Sequence, residues 1–276
     1  MSMEVTDTSS EAGLNFNTAS PLINSLSFHS ALASLPASFR LKENFLGCNI
    51  ALPWKKLVYS SLDLVDPAAK RVETINTLIK EKDKLNGYNT DGRGIVDSIT
   101  KYVNLKNKNV LMIGCGGGAQ TVPYYLLKKG IKKLYLNDIK KNKASDLISK
   151  WNFIYKKKGK KIYSVKNEDF IRVFKEIDIL INATPCGMFG IKEKSSFDLS
   201  YLSHLKKSCL LVEMIYNPSE TPMLIYAKEK GHKICSGINM LVEQGAARFD
   251  HVFGFELTEK DKKFMYQSVM EGLSER

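Results

Sequence analysis

The chain has 276 residues, of which 43% are hydrophobic and 25% charged, an ordinary balance for a globular protein of one large or two modest domains. No apolar run approaches the ~20 residues a membrane span requires, so no membrane partner is expected. The formal net charge of +12 raises the prospect of nucleic acid, but the one dense lysine run, residues 156–161 (KKKGKK), has no interleaved aromatics. A solvated surface whose field favours small anions is expected instead, with no nucleic-acid partner.

In chain order, the polar leader of residues 1–13 carries Glu4, Asp7 and Glu11. It matches neither a signal nor a transit peptide, so a cytoplasmic protein is expected. Residues 14–16 read as a short strand. Thr18 and Ser20 follow, just before a helical pattern through Ile23, Leu26 and Phe28. Hydroxyls there either cap the helix or bind a substrate carboxylate. Residues 45–52 read as a buried strand stopped by Pro53, with Trp54, Lys55 and Lys56 opening a helix. A lysine at the end of a strand, beside an aromatic, suits a ligand crevice. Residues 71–78 read as a helix running into a strand. Residues 85–87 read as a hairpin turn, and residues 88–92 (YNTDG) as a further turn that lets Asp91 meet Lys55.

The most organised signal is residues 109–130 (NVLMIGCGGGAQTVPYYLLKKG). An apolar run ends in Gly114, Gly116, Gly117 and Gly118. A helical pattern then carries Val122, Leu126 and Leu127 on one side, with Gly130 as its stop. Strand, glycine turn and helix in that order form the setting of a dinucleotide-binding turn, where bare backbone approaches a pyrophosphate. Ala119 takes the last position of G-x-G-x-x-G and is small enough for close helix–strand packing. Residues 134–136 read as the next strand. Asp138 follows about 20 residues beyond the glycines, placed to accept from an adenosine ribose or to cap the next helix. Five cysteines without a C-x-x-C imply reduced thiols, and four histidines without H-x-x-x-H spacing imply no metal site.

Seven blocks, taken together, carry a resemblance. Thr18-Ala19-Ser20-Pro21 is similar to S-x-S-P, and Asn49-Ile50-Ala51-Leu52-Pro53-Trp54-Lys55 to N-V-T-x-P-x-K. Glu73-Thr74-Ile75-Asn76-Thr77 is similar to G-A-V-N-T, and Gly87-Tyr88-Asn89-Thr90-Asp91-Gly92 to G-x-N-T-D-G. Asn182-Ala183-Thr184-Pro185-Cys186-Gly187-Met188 follows N-A-T-P-x-G-M, and Tyr216-Asn217-Pro218 with Thr221-Pro222 follows Y-N-P-x-x-T-P. Residues 237–245 (GINMLVEQG) complete the set. In this order the blocks resemble the shikimate dehydrogenase family, with its quinate and aminoshikimate branches.

The resemblance implies two α/β domains with the active site in the cleft between them. Residues 1–95, completed by 237–276, would bind substrate, and residues 96–236 would form a Rossmann-like dinucleotide domain. A ring alcohol and ketone would be interconverted on a shikimate- or quinate-like cyclic hydroxy acid, by a monomer or homodimer. Lys55 would be the acid/base group, with Asp91 orienting it and relaying protons. Asn76 and Gln244 would hold substrate hydroxyls, while Thr18, Ser20 and Tyr216 would bind the carboxylate. Gly114, Gly116, Gly117, Gly118 and Ala119 would cradle the pyrophosphate, with Thr184 and Met188 at the nicotinamide end and Gly237 close by. A catalytically silent dinucleotide- or acid-binding protein of the same fold is the alternative.

Three departures bear on specificity: Ala51 for the family threonine, Thr18 for the first serine, and Glu73 for a glycine. Losing a pocket hydroxyl redirects specificity, so a paralogue acting on a related acid is expected. Asn137-Asp138-Ile139 stands where NADP-using members carry N-R-T or N-R-S, which implies NAD as the cofactor, NADP being disfavoured by Asp138.

Overall fold

The computed structural model describes residues 45–50, 54–56, 58–155 and 161–274. Thr18, Ser20 and Ala51, the expected early strand and helix, and most of the 156–161 lysine run lie outside those residues. Among the described residues no helix is long and apolar enough to cross a membrane.

Strands β1 (Gly47–Asn49), β2 (Leu64–Val65), β3 (Thr77–Glu81) and β4 (Lys84–Tyr88) form a four-stranded sheet in the order β1-β3-β4-β2. Helix α1 (Pro67–Val72) crosses from β2 towards β3. Asp66 starts it by accepting from the N–H groups of Ala68 (2.9 Å) and Ala69 (3.1 Å), and Pro67 fits the first turn. Ala69, Ile75, Leu78 and Leu85 close a core under this sheet with Val58.

Local sequence misleads at two places here. Trp54, Lys55 and Lys56 form a turn rather than a helix start. Residues 85–87 lie inside β4, and the hairpin turns earlier, through Lys82 (φ 56°) and Asp83. Burial decides the second case. Leu85 is fully buried, and Gly87 is pressed by the side chains of Leu62 and Ile75, so its missing Cβ serves packing rather than a turn.

Helix α2 (Asp91–Thr100) follows β4 and leads to β5 (Asn109–Ile113), which lies inside an all-parallel six-stranded sheet. Its other members are β6 (Lys133–Asn137), β7 (Lys161–Ser164), β8 (Ile179–Asn182), β9 (Leu210–Glu213) and β10 (Lys233–Cys235), in the order β10-β9-β8-β5-β6-β7. Along β5, Val110 and Met112 pack to one face with Leu126 and Trp151, while Leu111 and Ile113 pack to the other with Phe170 and Phe174. Both faces are covered by crossover helices: α3 (Val122–Lys128), α4 (Lys141–Tyr155), α5 (Phe170–Glu176) and α6 (Pro222–Glu229). The chain winds from β5 through β6 to β7, then returns to β8, so the winding reverses between β5 and β8. Ligand crevices in such sheets open outside the C-terminal ends of the strands at that reversal.

Helix α7 (Gly237–Phe253) returns to the smaller sheet, and α8 (Glu259–Ser274) covers its end. Arg93 Nη1 donates to Asp250 Oδ2 at 2.9 Å, Tyr88 stacks on His251, and Lys262 bonds Glu243 at 3.0 Å. Gly94 in α2 allows the approach, since a Cβ there would come within 2.7 Å of Gln244 Cβ. Met240 and Ala247 are buried, whereas Phe249 faces solvent.

A buried carboxylate ties together the loops at the ends of β8 and β9. Glu213, fully buried, accepts from Asn182 Nδ2 (3.0 Å to each oxygen), the Met214 N–H (2.9 Å), the Ile215 N–H (3.1 Å) and the Thr221 hydroxyl (2.8 Å). Burial pushes its carboxyl up to about 7, against the pull of those donors. Asn182 Oδ1 in turn accepts from the Thr184 N–H (3.2 Å) and hydroxyl (2.7 Å).

Two stability measurements test these readings. Glu73, the αL cap of α1 (φ 53°), is exposed, so Glu73→Gly should raise unfolding free energy by about 0.5–1 kcal/mol in urea titrations. An unchanged or lower value contradicts that source of strain. For Glu213, the folded chain keeps a proton that the unfolded chain loses near 4.5, up to about 7. Wild-type stability relative to Glu213→Gln should therefore fall by about 3 kcal/mol as pH rises through that window. A difference that does not change with pH contradicts it.

Candidate active site

Asp91 opens α2 because Asn89 turns the chain just ahead of it: Asn89 Oδ1 accepts the Asp91 N–H at 3.2 Å, and Asn89 Nδ2 holds the Thr74 carbonyl at 3.1 Å. On the facing segment the Lys55 carbonyl accepts from the Ile75 N–H at 3.0 Å, which fixes the turn carrying that lysine. Lys55 Nζ and Asp91 Oδ2 meet at 2.7 Å with side-chain exposures of 13% and 7%, low enough to shield the pair from solvent screening. The pairing expected from sequence is formed.

Asn76 stands at the back of this pair. Its Nδ2 donates to Asp91 Oδ1 (2.7 Å) and Thr90 Oγ1 (3.1 Å), while Oδ1 accepts from the Thr77 hydroxyl (2.9 Å) and the Thr90 N–H (3.0 Å). At 1% exposure, with both amide hydrogens used inside the protein, it braces Asp91 in place of the expected substrate hydroxyl. Thr77 Oγ1 also accepts from Arg248 Nε (3.2 Å), and Arg248 Nη2 donates to Gln244 Oε1 (2.8 Å). Gln244 is thus joined to Lys55 through a continuous string of hydrogen bonds, and among the described residues its amide N–H group has no partner.

Across the crevice, the glycine turn follows β5. Gly114 adopts φ 98°, and a Cβ there would approach the Thr184 nitrogen to 2.8 Å, so only glycine lets the two loops meet. At Gly116 a Cβ would meet nothing within 4 Å, so bare main chain faces open space there. A short 3₁₀ turn runs from Gly117 to the buried Ala119, and Gly118 lies near Met214. Gln120 Nε2 braces the turn on the Cys115 carbonyl at 2.8 Å, and Trp151 Nε1 holds the Gln120 carbonyl at 3.0 Å. Open main chain at a strand–helix turn beside the winding reversal fits a dinucleotide pyrophosphate. Thr184 is half-buried and bonded within its own loop, and Met188 is exposed. Tyr216 is exposed beside Gly237, whose Cα packs directly on the Ile215 carbonyl. The crevice walls are joined at Thr121, whose hydroxyl accepts from the Gly92 N–H and donates to Asn89 Oδ1, both at 3.1 Å.

Sequence reasoning missed Glu213, Thr121 and Arg248. Glu213 ends the apolar run LLVE, and a lone acid closing a buried strand is a readable signal. Arg248 lies one helical turn beyond Gln244, the spacing at which side chains meet. Thr121 left no signal.

Asp138 departs from its expected use. Its two oxygens accept the N–H groups of Cys115 and Lys140, each at 2.8 Å, so the carboxylate braces the glycine turn and caps its own. Lys140 and Lys143 bring positive charge to the same turn.

Known proteins match this geometry. The family model for the shikimate dehydrogenase substrate binding domain matches residues 7–78. A curated relative from Geobacillus sp., shikimate dehydrogenase (NADP(+)), is 34% identical over 81% of this chain and 79% of its own. A shikimate dehydrogenase structure from Aquifex aeolicus aligns with TM-score 0.72 at 29% identity, covering 88% of this chain and 83% of the other. The quinate dehydrogenase of Corynebacterium glutamicum, solved with NAD, aligns at 0.74 and 25% identity, covering 91% and 85%. The expected NAD preference is overturned: relatives from Methanosphaera stadtmanae, Methanococcus vannielii and Staphylococcus aureus, 32–34% identical, also bear the name shikimate dehydrogenase (NADP(+)). On these matches the chain belongs to the shikimate dehydrogenase family.

Proposed function

We propose that the chain is an NADP-dependent oxidoreductase that interconverts a ring alcohol and ketone on a shikimate- or quinate-like cyclic hydroxy acid. The observation that carries this reading is the shielded 2.7 Å Lys55–Asp91 pair, tied through Asn89 and Gly92 to Thr121, just past an open glycine turn. Residues 1–95 with 237–276 would serve the substrate, and residues 96–236 the dinucleotide.

Removing hydride from a ring carbon leaves a hydroxyl proton that must depart, and ketone reduction needs one delivered. Lys55 Nζ holds that proton at the substrate oxygen, and Asp91 fixes the direction of the lysine while Asn76 fixes Asp91. Gln244 offers its amide N–H group to a ring hydroxyl, and Thr18, Ser20 and Tyr216 take the acid end. Gly114, Gly116, Gly117, Gly118 and Ala119 bring bare main chain to the pyrophosphate, with Thr184, Met188 and Gly237 at the nicotinamide end. The bound dinucleotide supplies the hydride acceptor or donor. Lys140 and Lys143 answer the 2′-phosphate as point charges and offset part of the repulsion from Asp138.

Turnover of shikimate and quinate with each dinucleotide checks this. NADP should exceed NAD by at least about tenfold in kcat/KM, and Lys140→Ala with Lys143→Ala should erode that ratio. Lys55→Ala should lower kcat by about 10²–10⁴ with NADP affinity nearly unchanged. Binding of NADP and acid without turnover in the wild type would identify a silent binder, and a Lys55→Ala variant as fast as wild type would remove Lys55 from the chemistry.

A further inference from the structure

The loop after Thr184 builds a cavity to which the reading above gives no task. The Met188 N–H donates to the Pro185 carbonyl at 3.0 Å and the Ile191 N–H to the Met188 carbonyl at 3.1 Å, so residues 188–191 close a turn. The Phe189 N–H donates to the Asn217 carbonyl at 3.1 Å, which pins that turn against the segment leading into α6. Between the two lies an open cavity of about 500 Å³, within the range that small-molecule sites occupy. Met188, Phe189, Ile191, Pro218, Pro222 and Ile225 give it apolar walls. Of the described residues assigned above to the acid, the proton or the dinucleotide, Met188 alone lines it.

Two further features point to its occupant. Phe189 is 79% exposed, and Met188 and Ile225 are exposed on the same cavity. A single apolar side chain in water is ordinary, but three around one hollow form a patch that a ligand would cover. Lys192 and Lys194 also line the cavity, both exposed, and no described carboxylate pairs with either. Glu220 on its wall is taken by Lys228, and Glu193, between the two lysines in sequence, does not line it. Phenyl, proline and thioether surfaces favour a flat ring, and the two ammonium groups favour a negative charge on that ring. We propose that this cavity is a second small-molecule site, which takes an aromatic acid against the loop that carries Thr184 and Met188.

Calorimetric titration of the full chain, with NADP and shikimate present in excess, tests this. The probes are 2-naphthoate, 2-naphthyl phosphate and the uncharged 2-naphthalenemethanol. Both anions should bind at one site per chain and more tightly than the alcohol, and the tighter of the two identifies the head group. Lys192→Ala with Lys194→Ala should raise the Kd of the anions by about 5- to 20-fold and leave the alcohol within about 2-fold. Phe189→Ala should weaken all three probes by about 3- to 10-fold. The three substituted side chains are exposed, and unchanged thermal unfolding verifies that the variants fold. The variants locate the ligand even where NADP does not bind, so the oxidoreductase reading can fail while the proposal stands. A wild type that binds neither anion overturns the proposal, as does binding that the variants leave unchanged or that NADP and shikimate displace. Self-association that Phe189→Ala abolishes in sedimentation, with neither anion bound, would assign the patch to a second copy and also overturn it.

Discussion

The structure depends on a 2.7 Å contact between a lysine and an aspartate 36 residues apart in the chain. Neither group is buried cheaply, since a charge removed from water must find both a counter-ion and hydrogen bonds. Asp91 finds them in Lys55 and Asn76, and Asn76 spends its whole amide on the segment 76–91. Asn89 then ties that segment to Thr74 on one side and Thr121 on the other. The pair is thus held by the smaller sheet and also by Thr121, which follows the glycine turn of the larger one.

The larger sheet supplies the other wall through a different device. Its winding reverses between β5 and β8, and each strand end there delivers one loop. Gly114 lets the two loops touch, and Glu213 gathers the main chain after β9 to the Asn182 side chain after β8. A carboxylate with several donors and, among the described residues, no counter-ion is an expensive brace, and its displaced titration is the physical mark of that cost. In exchange the loop bearing Thr184 and Met188 is anchored through Asn182.

Much of this was legible in the amino-acid sequence, and the reasons differ by residue. The β5 run and its glycines were readable because a strand buried on both faces is apolar without alternation and because positive φ demands glycine at Gly114. Lys55 and Asp91 were readable as a pair through the blocks around them. Asn76 was found but given a ligand, because sequence shows an amide's capacity and not which neighbours consume it. Gly87 reads as a turn from sequence because its real cause, the pressure of Leu62 and Ile75, is tertiary. Asp138 misled for a similar reason: nothing local reveals that the Cys115 N–H folds back onto it. Arg248 and Glu213 acquire meaning only when helix α7 and the β8–β9 loops are brought to their partners.

The central claim is that Lys55 and Asp91 act as one unit. A double-mutant cycle in kcat/KM, with Lys55→Ala, Asp91→Ala and the pair, measures that directly. The doubly substituted enzyme should be about as slow as the slower single variant, because each change alone disables the unit. Losses that multiply across the two positions would mean that the residues act independently, and would contradict the proton-holding role assigned to the pair.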